Sequence, residues 1–115
     1  MNKRSPITTH ILDVSLGKPA TGVSCKLEKC TGENRWEAIG NGITNQDGRV
    51  EGLFNGALTV GLYRIEFLTK PYFEQRKVRS FYPSVTVTFE VLEPTEHYHV
   101  PLLLSPFGFS TYRGS

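Results

Sequence analysis

What most restricts the fold of this chain is a period-two alternation of apolar and polar residues that returns roughly every ten positions, with turn formers between the runs. Residues 84–92 (SVTVTFEVL) are the cleanest instance, placing Val85, Val87, Phe89 and Val91 on one side of an extended strand. Residues 61–68 (GLYRIEFL) set Tyr63, Ile65 and Phe67 against Leu62, Arg64 and Glu66. Residues 22–30 set Val23, Cys25, Leu27 and Lys29 against Ser24, Lys26, Glu28 and Cys30. In the β-branched stretch 6–14, parity puts Thr8, His10 and Leu12 on one face and Ile7, Thr9 and Ile11 on the other. Strands are also predicted over 36–44, 100–104 and 107–112, with a short edge strand over 49–52. Turn chemistry separates them: Gly17 and Pro19, residues 31–34 (TGEN), the run Asn45, Gln46, Asp47, Gly48, and Ser105-Pro106. Only 70–78 (KPYFEQRKV) reads as a helix, with Pro71 in its first turn and Arg76 and Lys77 at its C-terminal end. Seven or eight short strands at this spacing imply an all-β, two-sheet antiparallel sandwich with one short helix.

A chain of 115 residues that is 38% apolar and 21% charged is expected to form a single folded domain, 1–115. Its net charge of +2 is too small, and its basic residues too scattered, for a nucleic-acid partner; Lys3-Arg4 and Arg76-Lys77 are the only basic pairs. No apolar run approaches the roughly 20 residues that span a bilayer. No signal-peptide core precedes Ser5, so no membrane partner and no export are expected. Cys25 and Cys30, on one strand, would be about 16 Å apart. That exceeds the roughly 7 Å Cα limit for a disulfide, and two reduced thiols fit better.

The candidate chemistry gathers near the C-terminus, in residues 96–115 (EHYHVPLLLSPFGFSTYRGS). His97 and His99 share a strand face with Pro101 and Leu103, and His10 is the only other histidine. Three histidines without an evident carboxylate to orient them make a weak zinc site, so no metal and no cofactor are expected. On spacing alone, half-exposed strand histidines are as good a reading as catalytic ones. Arg49 follows a tight Asp-Gly turn: it is either a solvated edge charge or a cation aimed from a rigid turn at an anion or a polarised carbonyl. Tyr112 and Arg113 can equally be the end of a last strand. GxSxG, P-loop and His-Glu-x-x-His patterns are absent from the sequence, which argues against a nucleophilic triad.

Taken together, the tail YRGS (112–115) preceded by HYHVPLLLSPFGFST, the THILD run (9–13), the TNQDGR run (44–49) and the FYP block (81–83) resemble the transthyretin-related 5-hydroxyisourate hydrolases over essentially the whole chain. The resemblance implies a transthyretin-like sandwich that assembles as a homotetramer, a dimer of dimers with clefts between the dimers. It implies hydrolysis of 5-hydroxyisourate to 2-oxo-4-hydroxy-4-carboxy-5-ureidoimidazoline in urate degradation. It assigns the catalytic role to His10, Arg49, His99 and Ser115, with Ser115 acting through its hydroxyl or a terminal carboxylate. Substrate binding falls to His10, Arg49, Tyr112 and Ser115, and Arg113 and Gly114 complete the tail. It favours His99 over His97, since relatives vary at the first histidine of the pair. A cytoplasmic location is expected, or a peroxisomal one with an N-terminal extension. The competing readings are a transthyretin-like small-ligand carrier, which by the same resemblance lacks these histidines, the arginine and the YRGS ending, and an immunoglobulin-like interaction module.

Overall fold

The computed structural model describes residues 5–115 of the chain, so the Lys3-Arg4 pair lies outside the described residues. Eight strands and one helix follow in the order β1 (Ile7–Asp13), β2 (Lys18–Pro19), β3 (Ser24–Gly32), β4 (Arg35–Ile43), β5 (Gly61–Leu68), α1 (Thr69–Gln75), β6 (Val85–Val91), β7 (Tyr98–Ser105) and β8 (Gly108–Thr111). They form two four-stranded sheets, ordered β2-β1-β7-β8 and β4-β3-β5-β6. The sandwich is therefore as expected, except that one pair is parallel. β1 runs alongside β7 with Thr8 opposite His99 and His10 opposite Pro101. Every other strand pair is antiparallel.

Alternation produces the core. Ile7, Thr9, Ile11 and Asp13 of β1 are buried while Thr8, His10 and Leu12 are half-buried. Tyr63, Ile65 and Phe67 of β5 lie fully inside, facing Ile7, Ile11 and Leu102 from the other sheet. Burying each such side chain stabilises the fold by about 1.5–3 kcal/mol. Cys25 and Cys30 are free thiols, and burial pushes the Cys25 thiol up to about 12, so it is inert as a nucleophile.

Three local expectations are corrected. The edge strand expected over 49–52 reduces to a single bridge between Arg49 and His10. The chain turns at once, with Gly52 at φ +64°, to bury Val50 and Leu53. The helix stops at Gln75 rather than at residue 78, because Lys77 adopts a left-handed φ of +58° and Val78 N bonds back to Phe73 O at 2.9 Å. At the turn read from Gly17 and Pro19, Lys18–Pro19 pairs with Asp13 and Leu12 as a short edge strand.

Candidate active site

The loop that carries Arg49 is built before Arg49 is reached. The Asn45 side-chain oxygen accepts hydrogen bonds from the amides of Asp47 at 2.9 Å and Arg49 at 3.1 Å, and Gly48 N donates to Asn45 O at 2.9 Å. Gly48 then sits at φ +75° with its carbonyl accepting from Ile11 N at 2.8 Å. A Cβ there would fall 2.5 Å from Ile11 O, so glycine is required both by the backbone angle and by the close approach to β1. The result is that Arg49 lies directly across from His10 in an antiparallel bridge. His10 is half-buried and Arg49 exposed, and Arg49 forms no ion pair among the described residues.

The tail is tied to His99 in the same manner. Gly114 N donates to His99 O at 2.9 Å, the two residues forming an antiparallel bridge. A Cβ on Gly114 would stand 2.5 Å from His99 Cδ2 and 3.3 Å from Pro101 Cγ, so the bare glycine backbone packs against the imidazole edge. Thr111 Oγ1 donates to Pro101 O at 2.7 Å. Arg113 reaches back with Nη2 to Glu96 Oε1 at 3.0 Å and to His97 O at 3.1 Å, its guanidinium 4.4 Å from the Tyr98 ring centre. The Glu96 ion pair is exposed at both ends and worth little by itself. Three contacts from one side chain, however, hold the tail at Arg113 against residues 96–98. Ser115 follows at the surface.

Because β1 and β7 are parallel and in register, His10 and His99 sit on neighbouring strands and on the same face. Two steps of pairing separate them, or about 8 Å between Cα atoms. The structure thus brings together His10 with Arg49, and His99 with Gly114; Ser115 is the next residue along the chain. Tyr112 points elsewhere: it lines a groove of about 260 Å³ beside β6, with Val87, Phe89, Tyr98, Val100 and Arg113. Among the described residues, no three of His, Cys, Asp and Glu converge to hold a metal ion.

Two residues escape a reading by spacing. Thr8 Oγ1 lies 2.8 Å from His97 Nε2 and 2.8 Å from His99 Nδ1, joining both histidines of the β7 entrance. Parity had already put Thr8 on the face of His10, which was the available signal. Asp13, at the far end of β1, is fully buried. Its carboxylate accepts from Ser15 N at 3.0 Å, from Ser15 Oγ, from Tyr72 Oη at 2.7 Å and from Arg76 Nη1 at 2.9 Å. Burial pushes the Asp13 carboxyl up, but these hydrogen bonds and the Arg76 charge outweigh it and hold the group below the usual range. Burial, with the same contact to Asp13 adding to it, pushes the Tyr72 phenol up to about 12.

An eight-stranded sandwich whose one parallel pair among the described residues carries two imidazoles, with an arginine and the chain's tail bridged to them, defines a protein of the transthyretin-like class. The family model described as "HIUase/Transthyretin family" matches residues 7–114, and the chain belongs to that family. It is 47% identical over 110 residues to a 5-hydroxyisourate hydrolase of Salmonella typhimurium, covering 95% of this chain and 80% of that one. The solved 5-hydroxyisourate hydrolase of Klebsiella pneumoniae superposes with a TM-score of 0.83 at 34% identity, covering 95% and 92% of the two chains. Transthyretin from Sparus aurata superposes with a TM-score of 0.89 at 33% identity, covering 96% and 97%. Backbone shape therefore does not separate the two branches of the family; side chains have to.

Proposed function

We propose that this chain hydrolyses 5-hydroxyisourate to 2-oxo-4-hydroxy-4-carboxy-5-ureidoimidazoline, a step of urate degradation. The observation that carries the reading is the pair of backbone bridges, His10 to Arg49 and His99 to Gly114, on adjacent strands and one face. The names of the relatives at 47% identity support the same substrate. Water attacks a ring carbonyl and the ring nitrogen leaves, with water itself as the nucleophile. His99 takes the proton from that water, a service worth about 10²–10⁴ in rate. Arg49, held rigidly by its turn, stabilises the oxyanion that forms at the attacked carbonyl, worth about 10²–10³. His10 binds the substrate beside Arg49 and hands a proton to the leaving nitrogen, while the Ser115 hydroxyl orients the attacking water. Tyr112 serves substrate binding through the tail, anchoring residues 113–115 from the groove it lines.

The active form on this reading is a homotetramer, a dimer of dimers built from one domain, 1–115. Two features support it. β6 and β8 are open edges of their sheets, without proline or charge enough to block pairing with a second copy. The face of β1 and β7 that bears the imidazoles also carries half-buried Leu12 and Leu103, beside exposed Val14 and Leu16, an apolar surround that assembly would cover. Among the described residues no helix is long and apolar enough to cross a membrane; the compartment we propose is the cytoplasm.

The competing reading, a small-ligand carrier, is favoured only by the transthyretin superposition. The two separate in one assay. 5-Hydroxyisourate is generated with urate oxidase, the protein is added, and the decay of its absorbance is timed. Hydrolysis predicts decay accelerated in proportion to protein; a carrier predicts an unchanged rate.

A further inference from the structure

A threonine hydroxyl has one proton to donate and two lone pairs with which to accept. Thr8 Oγ1 spends them on two rings, His97 Nε2 and His99 Nδ1, each at 2.8 Å. With both imidazoles neutral, the arrangement that uses every donor and acceptor has one ring donating N–H to Oγ1 while Oγ1 donates to the other. The two rings are then obliged to present opposite forms to the hydroxyl, and a change at one is felt at the other.

We propose that Thr8 and His97 are positioning residues for His99, joined to it as a relay that selects its tautomer and takes up the proton it gains. The inference rests on the reading of His99 as the base. At rest, His99 carries its proton on Nδ1 and donates it to Thr8 Oγ1, and Thr8 donates to His97 Nε2. His99 Nε2 is then the basic nitrogen, on the side of the ring whose Cδ2 packs against Gly114. When an O–H bond of water breaks and N–H forms at Nε2, the Nδ1 proton passes to Oγ1 and the original Oγ1 proton passes to His97 Nε2. His99 is again neutral in its other tautomer, the charge resides on His97, and the hydroxide adds to the carbonyl. Once His10 has protonated the leaving nitrogen, loss of the Nε2 proton to solvent runs the relay backwards and restores His99, and His10 regains its proton from solvent. Protons balance at each stage and no electrons are transferred. The gain is electrostatic. His10, opposite Arg49, pairs with Pro101, and His97 lies four residues before Pro101 whereas His99 lies two before it. Moving the charge to His97 therefore shifts it to the ring whose residue stands farther along the chain from the position that His10 and Arg49 share.

The test compares Thr8→Val, Thr8→Ser, His97→Gln and the Thr8→Val/His97→Gln double variant in steady-state kinetics on 5-hydroxyisourate. Glutamine at 97 can still hydrogen-bond to Thr8 but cannot accept a proton. Thr8→Val and His97→Gln should each lower kcat by about tenfold to a hundredfold with KM nearly unchanged. Thr8→Ser should keep most of the rate, and the double variant should be no slower than the slower single, as expected of groups acting in series. In ¹⁵N spectra of histidine-labelled protein, wild-type His99 should show one dominant neutral tautomer and Thr8→Val a mixture. A merely structural Thr8 would not move that signature. Normal kcat in His97→Gln, alone or with normal kcat in Thr8→Val, overturns the relay. In that event an inactive His99→Ala leaves His99 standing as the base; near-normal turnover in His99→Ala removes the base assignment and the relay together.

Discussion

Two polar residues of β1, His10 and Asp13, point to opposite faces of the same strand and live under opposite rules. Asp13 is fully buried, and its carboxylate is saturated by Ser15, Tyr72 and Arg76. The second sheet repeats this on a smaller scale. Glu28, buried where the β3–β4 register slips, accepts from Arg64 Nε at 2.7 Å and lies 3.6 Å from Lys26 Nζ. The hydrogen bond from Arg64 leads the causes that hold its carboxyl below the usual range. His10 differs: it is half-buried, and the Arg49 across from it is exposed with no ion pair among the described residues. The closed clusters hold their side chains by ion pairs and hydrogen bonds; at the open one, backbone bridges align His10 with Arg49 and His99 with Gly114, the alignment on which the proposed chemistry rests. Backbone and hydroxyl anchoring does for the site what ion pairing does for the structure.

That contrast can be broken first at the open end. His99→Ala and Arg49→Ala should lower turnover by about 10²–10⁴ and 10²–10³ respectively, with melting temperature little changed; calorimetry beside the kinetic assay checks both. Removing Gly114 and Ser115 should abolish detectable turnover, yet leave the far-ultraviolet dichroism and the melting curve close to wild type. At the closed end the pattern should invert. Asp13→Asn leaves Tyr72 and Arg76 with a poorer acceptor in a buried place, and should cost about 2 kcal/mol of stability in urea titrations. Turnover per folded molecule should stay close to wild type. The Asp13 carboxyl is depressed in the folded state, so its stabilisation is present above its unfolded value of about 3.9 and fades as pH falls through the lower, folded value. Asp13→Asn should accordingly flatten the acid limb of the stability profile. Smallest of all, Glu28→Gln should cost about 0.5–1 kcal/mol, since Arg64 is partly exposed, and should leave kcat unchanged.

Where the chain's pattern is local, it could be read directly. The strand over 61–68 is found at those bounds because Tyr63, Ile65 and Phe67 alternate without interruption. His10, Arg49 and His99 were marked by residue type and by likeness to the hydrolases, and their neighbourhood by strand parity. What could not be read depends on contacts made at long range. Asp13 drew no notice at the end of the 6–14 stretch because its partners Tyr72 and Arg76 lie 59 and 63 positions away. Thr8 looked like ordinary strand because its imidazole partners lie 89 and 91 positions away. The parallel pairing of β1 with β7, which brings all of these together, joins the two ends of the chain and leaves no mark in either strand alone. The bridge at Arg49 was misread as a strand for the opposite reason: the burial of Val50 and Leu53 ends it after one residue.

The most direct measurement is a count of turnovers. Protein at well below the concentration of freshly generated 5-hydroxyisourate should open many substrate molecules per chain, and Arg49→Ala should slow that count by about 10²–10³. Consumption that stops at one molecule per chain or fewer, or a rate indifferent to Arg49, would contradict the account.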